Sequence, residues 1–305
     1  MPYLIGTRRA LLGSRTLPLL DRIPGGLAAY SLRKLRAGYT DGAIRVRRSS
    51  DSTEQDIGFD AAGNLDTSSL LAFTGAGDGF ITTWYDQTGG GATFAQATTA
   101  NQPRIVASGV VDVINGKPTA LFDGINDSLT GNATCNALLK NKTGMSLLAA
   151  NNFLSFLVSN RCIISFSLPA AASSIRLSVT ALVDVGSTAN RGFNARALDT
   201  DGLSSRNTAS KYDGSFALNC YTIDYTTAAG VNRRNGVVID SGTFGSMTAG
   251  STSNTDSLAS NIGSFNGGQF PNMNLGDLIL FSRVLSAAEM SLAESNMAAY
   301  YGVTI

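Results

Sequence analysis

Carboxylates are the first residues to weigh, because two of them facing each other across a sugar can hydrolyse a glycosidic bond. This chain of 305 residues has no histidine. It therefore lacks the usual general base, the Ser-His-Asp and Cys-His arrangements and the commonest zinc ligand. Its glutamates are Glu54, Glu289 and Glu294, and Glu289 stands in Ser286-Ala-Ala-Glu289, the spacing of a helix capping box. Residues 145–240 contain no Glu; Asp184, Asp199, Asp201, Asp213, Asp224 and Asp240 remain there, most in turn-like surroundings. No catalytic residue is assigned, and the chain is expected not to be an enzyme.

Binding chemistry is better represented. Trp84-Tyr85-Asp86-Gln87 joins an aromatic face to a carboxylate and an amide, a combination that holds sugars, so Tyr85, Asp86 and Gln87 are the candidate ligand-binding residues. Trp84 is the sole Trp and sits in an apolar run. Strand alternation sends it inward if Tyr85 faces out, which assigns it to the core. Asp123, Asn126 and Asp127 could offer oxygens to calcium. Asp and Asn in tight turns also cap local amides, and that duty is the expectation here, with no metal or cofactor assigned. Gly89-Gly90-Gly91 lacks the Lys-Ser/Thr ending of a phosphate loop. Cys135, Cys162 and Cys220 are odd in number and far apart, so they read as buried apolar residues of a chain assembled in a reducing compartment.

The elements that must position these residues are mostly strands. Charged residues make up 15% of the chain, against roughly 25% in an average globular protein. Gly, Ser, Thr, Ala and Asn crowd the gaps between short apolar runs, as in a protein of many strands and turns. Ile44 and Val46 alternate with Arg45 and Arg47, Phe80 to Tyr85 forms a second strand, and Leu278 to Phe281 a buried one. Asn115-Gly116 and Asn235-Gly236 signal hairpins. Leu27, Ser31, Leu35 and Tyr39 fall near helical spacing, which predicts a short helix after Gly26, and Asp66 or Thr67 caps another. A terminal helix starts at Ser286 and stops at Gly302.

No segment approaches the ~20 apolar residues of a membrane span, and residues 1–15 do not read as a secretory signal. Net charge is +1 but uneven: residues 1–48 hold ten Arg or Lys against Asp21 and Asp41. Arg33, Arg36, Arg45, Arg47 and Arg48 are expected to pair internally, with Asp51, Glu54 and Asp56 nearby. Residues 1–26 form an arm with Pro2, Pro18 and Pro24 and apolar clusters too short to fold alone. Arg8, Arg9 and Arg15 are its candidate partner-docking residues.

Three stretches together resemble a known family. They are Ala28-Ala-Tyr-Ser-Leu-Arg through Ile44-Arg-Val-Arg-Arg-Ser-Ser-Asp51, then Thr83-Trp-Tyr-Asp-Gln87 with Asn101-Gln-Pro-Arg-Ile105, and Gly276-Asp-Leu-Ile-Leu-Phe-Ser-Arg-Val-Leu-Ser286. The pattern resembles the concanavalin A-like (laminin-G-like) lectin/glucanase modules of phage virion proteins. Its first two stretches are similar to the catalytic sandwich of family-B α-L-arabinofuranosidases, whose nucleophile is a Glu on a central strand. The resemblance implies an all-β, two-sheet antiparallel jelly-roll sandwich over residues 27–305 with an N-terminal arm and a C-terminal helix. The function expected is a phage virion structural surface protein, either capsid decoration or tail-associated. It would be assembled in the host cytoplasm and docked by its arm on capsid or tail proteins or on its own oligomer. Carbohydrate binding at a surface glycan is compatible with that role, while membrane and nucleic-acid partners are not expected. The alternative is a secreted or surface carbohydrate-active enzyme of arabinofuranosidase-like type.

Overall fold

The computed structural model describes residues 17–155, 161–167, 175–182, 190–197, 201, 204–211, 214–250, 259–265 and 267–305. Strand Gly144–Phe153 is buried throughout and pairs antiparallel with Ala217–Asp224 on one side and Asn272–Phe281 on the other. Strand 272–281 pairs in turn with Gly26–Ser31 and, at its start, with Ala120–Asp123. Ala229–Arg234 and Val237–Thr243 extend this layer on its far side.

A second layer begins with Glu54–Ile57, Ile44–Arg48 and Gly79–Trp84 side by side. Phe94–Ala95 connects them to Leu129–Gly131 and Ala259–Ile262. Arg161–Ser167, Ile175–Leu182, Asn190–Ala195 and Ser204–Lys211 continue it. Leu121 sits opposite Arg104 and carries the ladder between layers, so nineteen strands among the described residues form one hydrogen-bonded network. The expected all-β antiparallel sandwich with a C-terminal helix is what the chain forms.

Two cores follow from the two-residue period of a strand. Met145, Leu147, Ala149 and Phe153 join Tyr30, Trp84, Phe94 and Tyr221 between the layers. Leu148 and Ala150 point the other way, onto Met290, Ala293 and Met297 of the terminal helix Ala287–Tyr301. Full burial of each large side chain contributes about 1.5–3 kcal/mol. A strand covered on both faces has no polar side and loses its alternating signature. That explains the one element misassigned from sequence: residues 26–31 are a strand, not the start of a helix. Ala28 and Tyr30 enter the main core while Ala29 enters the second, and cross-strand pairing overrides the helical spacing.

Local signals read in the sequence are realised. Asn115 and Gly116 have φ of 52° and 73°, and Asn235 and Gly236 46° and 80°, the positive pair a type I′ turn requires. Asp66 caps helix Thr67–Thr74 by accepting from the Ser69 amide. Ser286 and Glu289 form the capping box, Leu285 and Met290 are buried together, and Gly302 ends the helix at φ 65°. The cysteines are free and buried.

Arg45 pairs with Asp56 and Arg48 with Asp51, as expected. Arg33 reaches across the fold to Asp277, Arg47 takes the Gln102 amide oxygen, and Arg36 a carbonyl at Thr88. From the arm, the single turn Leu19–Arg22 and Ile23 lay Leu19, Leu20 and Ile23 into the second core, so this part braces the chain's own sandwich. Arg8, Arg9 and Arg15 lie outside the described residues. On strand 237–243, the Arg206 guanidinium donates to the Ser241 and Thr243 carbonyls at 2.8 and 3.0 Å and to both Asp240 oxygens at 2.7 Å. Gly242 lies beneath it; a Cβ there would come within 3.0 Å of Arg206 Cζ.

Candidate functional site

Strand Gly79–Trp84 delivers the aromatic motif to the surface. Trp84 turns inward, fully buried, with its ring edge-on to Tyr30 at 6.5 Å. Tyr85 turns outward, anchored by its amide to the Ala43 carbonyl. Its hydroxyl donates to Asp56 Oδ1 at 2.7 Å, and Arg45 grips the same carboxylate through two bonds of 2.8 Å. The Arg45 hydrogen bonds hold the Asp56 carboxyl below the usual carboxylate range. Burial, then the bond to Asp56, pushes the Tyr85 phenol up to about 12.

The next two residues turn back into the fold. Asp86 Oδ1 accepts from the Ala29 and Thr88 amides, and Oδ2 from the Thr88 hydroxyl and the Gly90 amide, at 2.6–3.1 Å. Its carboxylate thus ties the glycine loop to the edge of strand 26–31. Gln87 is fully buried: Nε2 donates to the Ser31 and Arg33 carbonyls and Oε1 accepts from the Leu35 amide. The motif is therefore largely a device that sews the segment after strand 26–31 to strand 79–84.

A cleft of about 400 Å³ opens beside Tyr85, lined also by Tyr39, Asp41, Gly42, Asp56 and Asp86. The Tyr39 hydroxyl donates to the Gly42 carbonyl at 2.9 Å, and its ring meets Phe59 edge-on at 6.3 Å. Burial, reinforced by Asp41, raises the Tyr39 phenol well above its ordinary value, so it stays protonated. The cleft presents the half-buried Tyr85 and the exposed carboxylates Asp41 and Asp56, with Tyr39 buried at its base. Of the residues singled out in the sequence, Tyr85 and Asp86 share this cleft, and Gln87 stands behind it. Tyr39 and Asp41 were missed; the only local signal was the Tyr39-Thr-Asp-Gly42 turn.

Other carboxylates serve the fold. Glu294 is buried against Arg233 at 2.8 Å, Glu289 is held by Arg283 and the capping box, and Glu54 lies exposed on its strand. Asp123 Oδ1 accepts from the Ile125 and Asn126 amides and Asp127 Oδ2 from the Asp123 amide, which is the turn duty expected of them. Among the described residues no cluster of three or more His, Cys, Asp or Glu could hold a metal ion.

No protein-family model and no curated protein matches the chain. Solved structures do. An arabinofuranosidase complexed with arabinofuranosyl-α-1,2-xylobiose matches with a TM-score of 0.69 at 15% identity, covering 92% of this chain. A GH54 α-L-arabinofuranosidase soaked with a cyclic sulfate inhibitor gives 0.67 at 14% and covers 92%. A glutamate-to-glutamine mutant of a GH54 α-L-arabinofuranosidase, soaked with 4-nitrophenyl α-L-arabinofuranoside, gives 0.62 at 13%. The chain spans 64% of the length of each of these proteins. These structures correct the expectation that the chain is not an enzyme, because their shared fold is one that carries glycoside hydrolysis. At 13–15% identity, the likeness establishes that this chain has the sandwich fold of the arabinofuranosidases it matches.

Proposed function

We propose that the chain is a carbohydrate-active protein of arabinofuranosidase-like type that engages furanoside-bearing glycans in the Tyr85 cleft. The observation that carries this is the match over 92% of the chain to arabinofuranosidase structures at TM-scores up to 0.69. The cleft supports it with two tyrosines and two rim carboxylates, Asp41 and Asp56. Asp56 is ionised and oriented by Arg45, so it is an acceptor ready for a sugar hydroxyl or for charge developing on a sugar ring. Asp41 supplies the second carboxylate that hydrolysis requires.

The test is release of nitrophenol from 4-nitrophenyl α-L-arabinofuranoside, with binding of methyl α-L-arabinofuranoside measured alongside by calorimetry. Turnover or binding is expected, lost or cut at least about tenfold in Asp41→Asn or Asp56→Asn, equivalent to about 1.4 kcal/mol. Neither turnover nor binding with the folded chain would sink the proposal.

A further inference from the structure

We propose that the ligand is a neutral oligosaccharide chain, not a single sugar, and that it lies across the Gly89–Gly91 loop with sugar units in a cleft on either flank. This rests on the carbohydrate-active reading above and extends it to ligand length and charge. The Tyr85 cleft is one flank. On the other is a second cleft of about 380 Å³, lined by Leu20, Asp21, Pro24, Gly26, Arg36 and Thr88. Each falls within the size range of a small-ligand site, roughly 300–1,000 Å³.

The two clefts adjoin at this loop, since Thr88 lines one and Gly89 and Gly91 line the other. Arg36 Nη1 donates to the Thr88 carbonyl at 2.6 Å on one side of it, and the Tyr39 amide donates to the Arg36 carbonyl at 3.2 Å. The turn that ends in Tyr39 therefore borders both clefts. Gly89 and Gly91 are exposed with φ of 81° and 74°, backbone that L side chains rarely adopt, so no side chain rises from the ridge at those positions. The loop is nonetheless fixed, because Asp86 holds the Thr88 amide and hydroxyl and the Gly90 amide from beneath. A ligand crossing this saddle meets a preformed surface and does not have to order a loop, which would otherwise weaken binding.

Charge selects the ligand class. Among the described residues lining the two clefts, Asp21, Asp41, Asp56 and Asp86 are the carboxylates and Arg36 is the cation. Arg45 is already committed to Asp56. Carboxylates accept from sugar hydroxyls but repel uronate or sialate groups, so the chain that fits is uncharged.

The experiment is calorimetric titration of the full chain with arabinoxylo-oligosaccharides from disaccharide to hexasaccharide, and with an oligogalacturonide of matched length. Affinity should rise about tenfold or more once the chain is long enough to cross the loop, about 1.4 kcal/mol. The oligogalacturonide should bind far more weakly. Tyr85→Ala should weaken binding at every length, whereas Arg36→Ala should weaken only the longer chains, with circular dichroism confirming that both variants fold. Affinity independent of length, equal loss for short and long chains in Arg36→Ala, or tight uronate binding overturns this proposal while the carbohydrate-active reading stands. If no glycan of any length binds and no nitrophenol is released, the underlying reading fails and takes this one with it.

Discussion

The Arg33 guanidinium donates to Asp277 Oδ2 through Nε at 3.1 Å and Nη2 at 2.8 Å, joining residues that are 244 positions apart in the chain. Asp277 Oδ1 accepts from the Ser31 and Tyr301 hydroxyls at 2.5 and 2.8 Å, so sheet edge, sheet centre and terminal helix meet on one buried carboxylate. Removing one partner of a buried pair leaves an uncompensated charge, at a cost of about 3–5 kcal/mol. Asp277→Ala should lose that much stability in urea unfolding. A change within experimental error would show that the pair does not hold the sheet edge and terminal helix to strand 272–281.

Gln87→Ala separates the structural half of the aromatic motif from its binding half. It strands the Leu35 amide and the Ser31 and Arg33 carbonyls, which Gln87 now satisfies. Each buried polar group left unsatisfied costs about 1–3 kcal/mol. A melting temperature equal to the parent would contradict the arrangement. Glycan affinity at temperatures where the variant remains folded should stay close to that of the parent chain.

How much of this could be read from the sequence depended on range. Asn235-Gly236, Asp66 and the Ser286/Glu289 box act within four residues of themselves and were legible. Strand 26–31 was not, because Ala29 and Tyr30 bury on opposite faces and leave no alternation. The cleft was legible only by half. Tyr85 stood out as an aromatic beside polar residues, but its partner Asp56 lies 29 positions away and meets it only because strand 44–48 pairs with both 54–57 and 79–84. From sequence, Asp56 could be recognised as an arginine partner and not as part of a cleft.

Asp127 gives the fold a pH dependence. Burial pushes its carboxyl up to about 7, against the accepted Asp123 amide bond and Arg104, which pull it down, while the Asp123 charge adds to the rise. The ordinary value is about 3.9, so the folded state favours the protonated group. Its contribution to stability is full below about pH 4 and is lost as pH rises through the folded value. Asp127→Asn keeps an oxygen for the Asp123 amide and cannot ionise. It should melt higher than the parent at about pH 8 and alike at about pH 4. The opposite ordering would refute the assignment.

At Gly276 the Tyr301 ring of the terminal helix lies directly against the sheet. A Cβ there would lie 2.6 Å from Tyr301 Cζ, and the ring is packed on Phe216 and Tyr300 with little room to retreat. Gly276→Ala should cost about 1–3 kcal/mol, the usual range for overpacking. It should also raise the fluorescence or exchange signature of a loosened terminal helix; an unchanged unfolding midpoint would show that the helix rides freely.

The Arg206 clasp bears on how the molecule behaves in company. Strand 237–243 pairs with 229–234 on one side, and its outward carbonyls at Ser241 and Thr243 are those an incoming strand would seek. Arg206 occupies them with a charged side chain, and Gly242 lets it lie flat against the backbone. An edge closed in this way cannot template another chain by strand addition, the route by which exposed sheet edges aggregate. The clasp thus withholds the Ser241 and Thr243 carbonyls from a second copy of the chain, which makes it a guard against self-association along this strand.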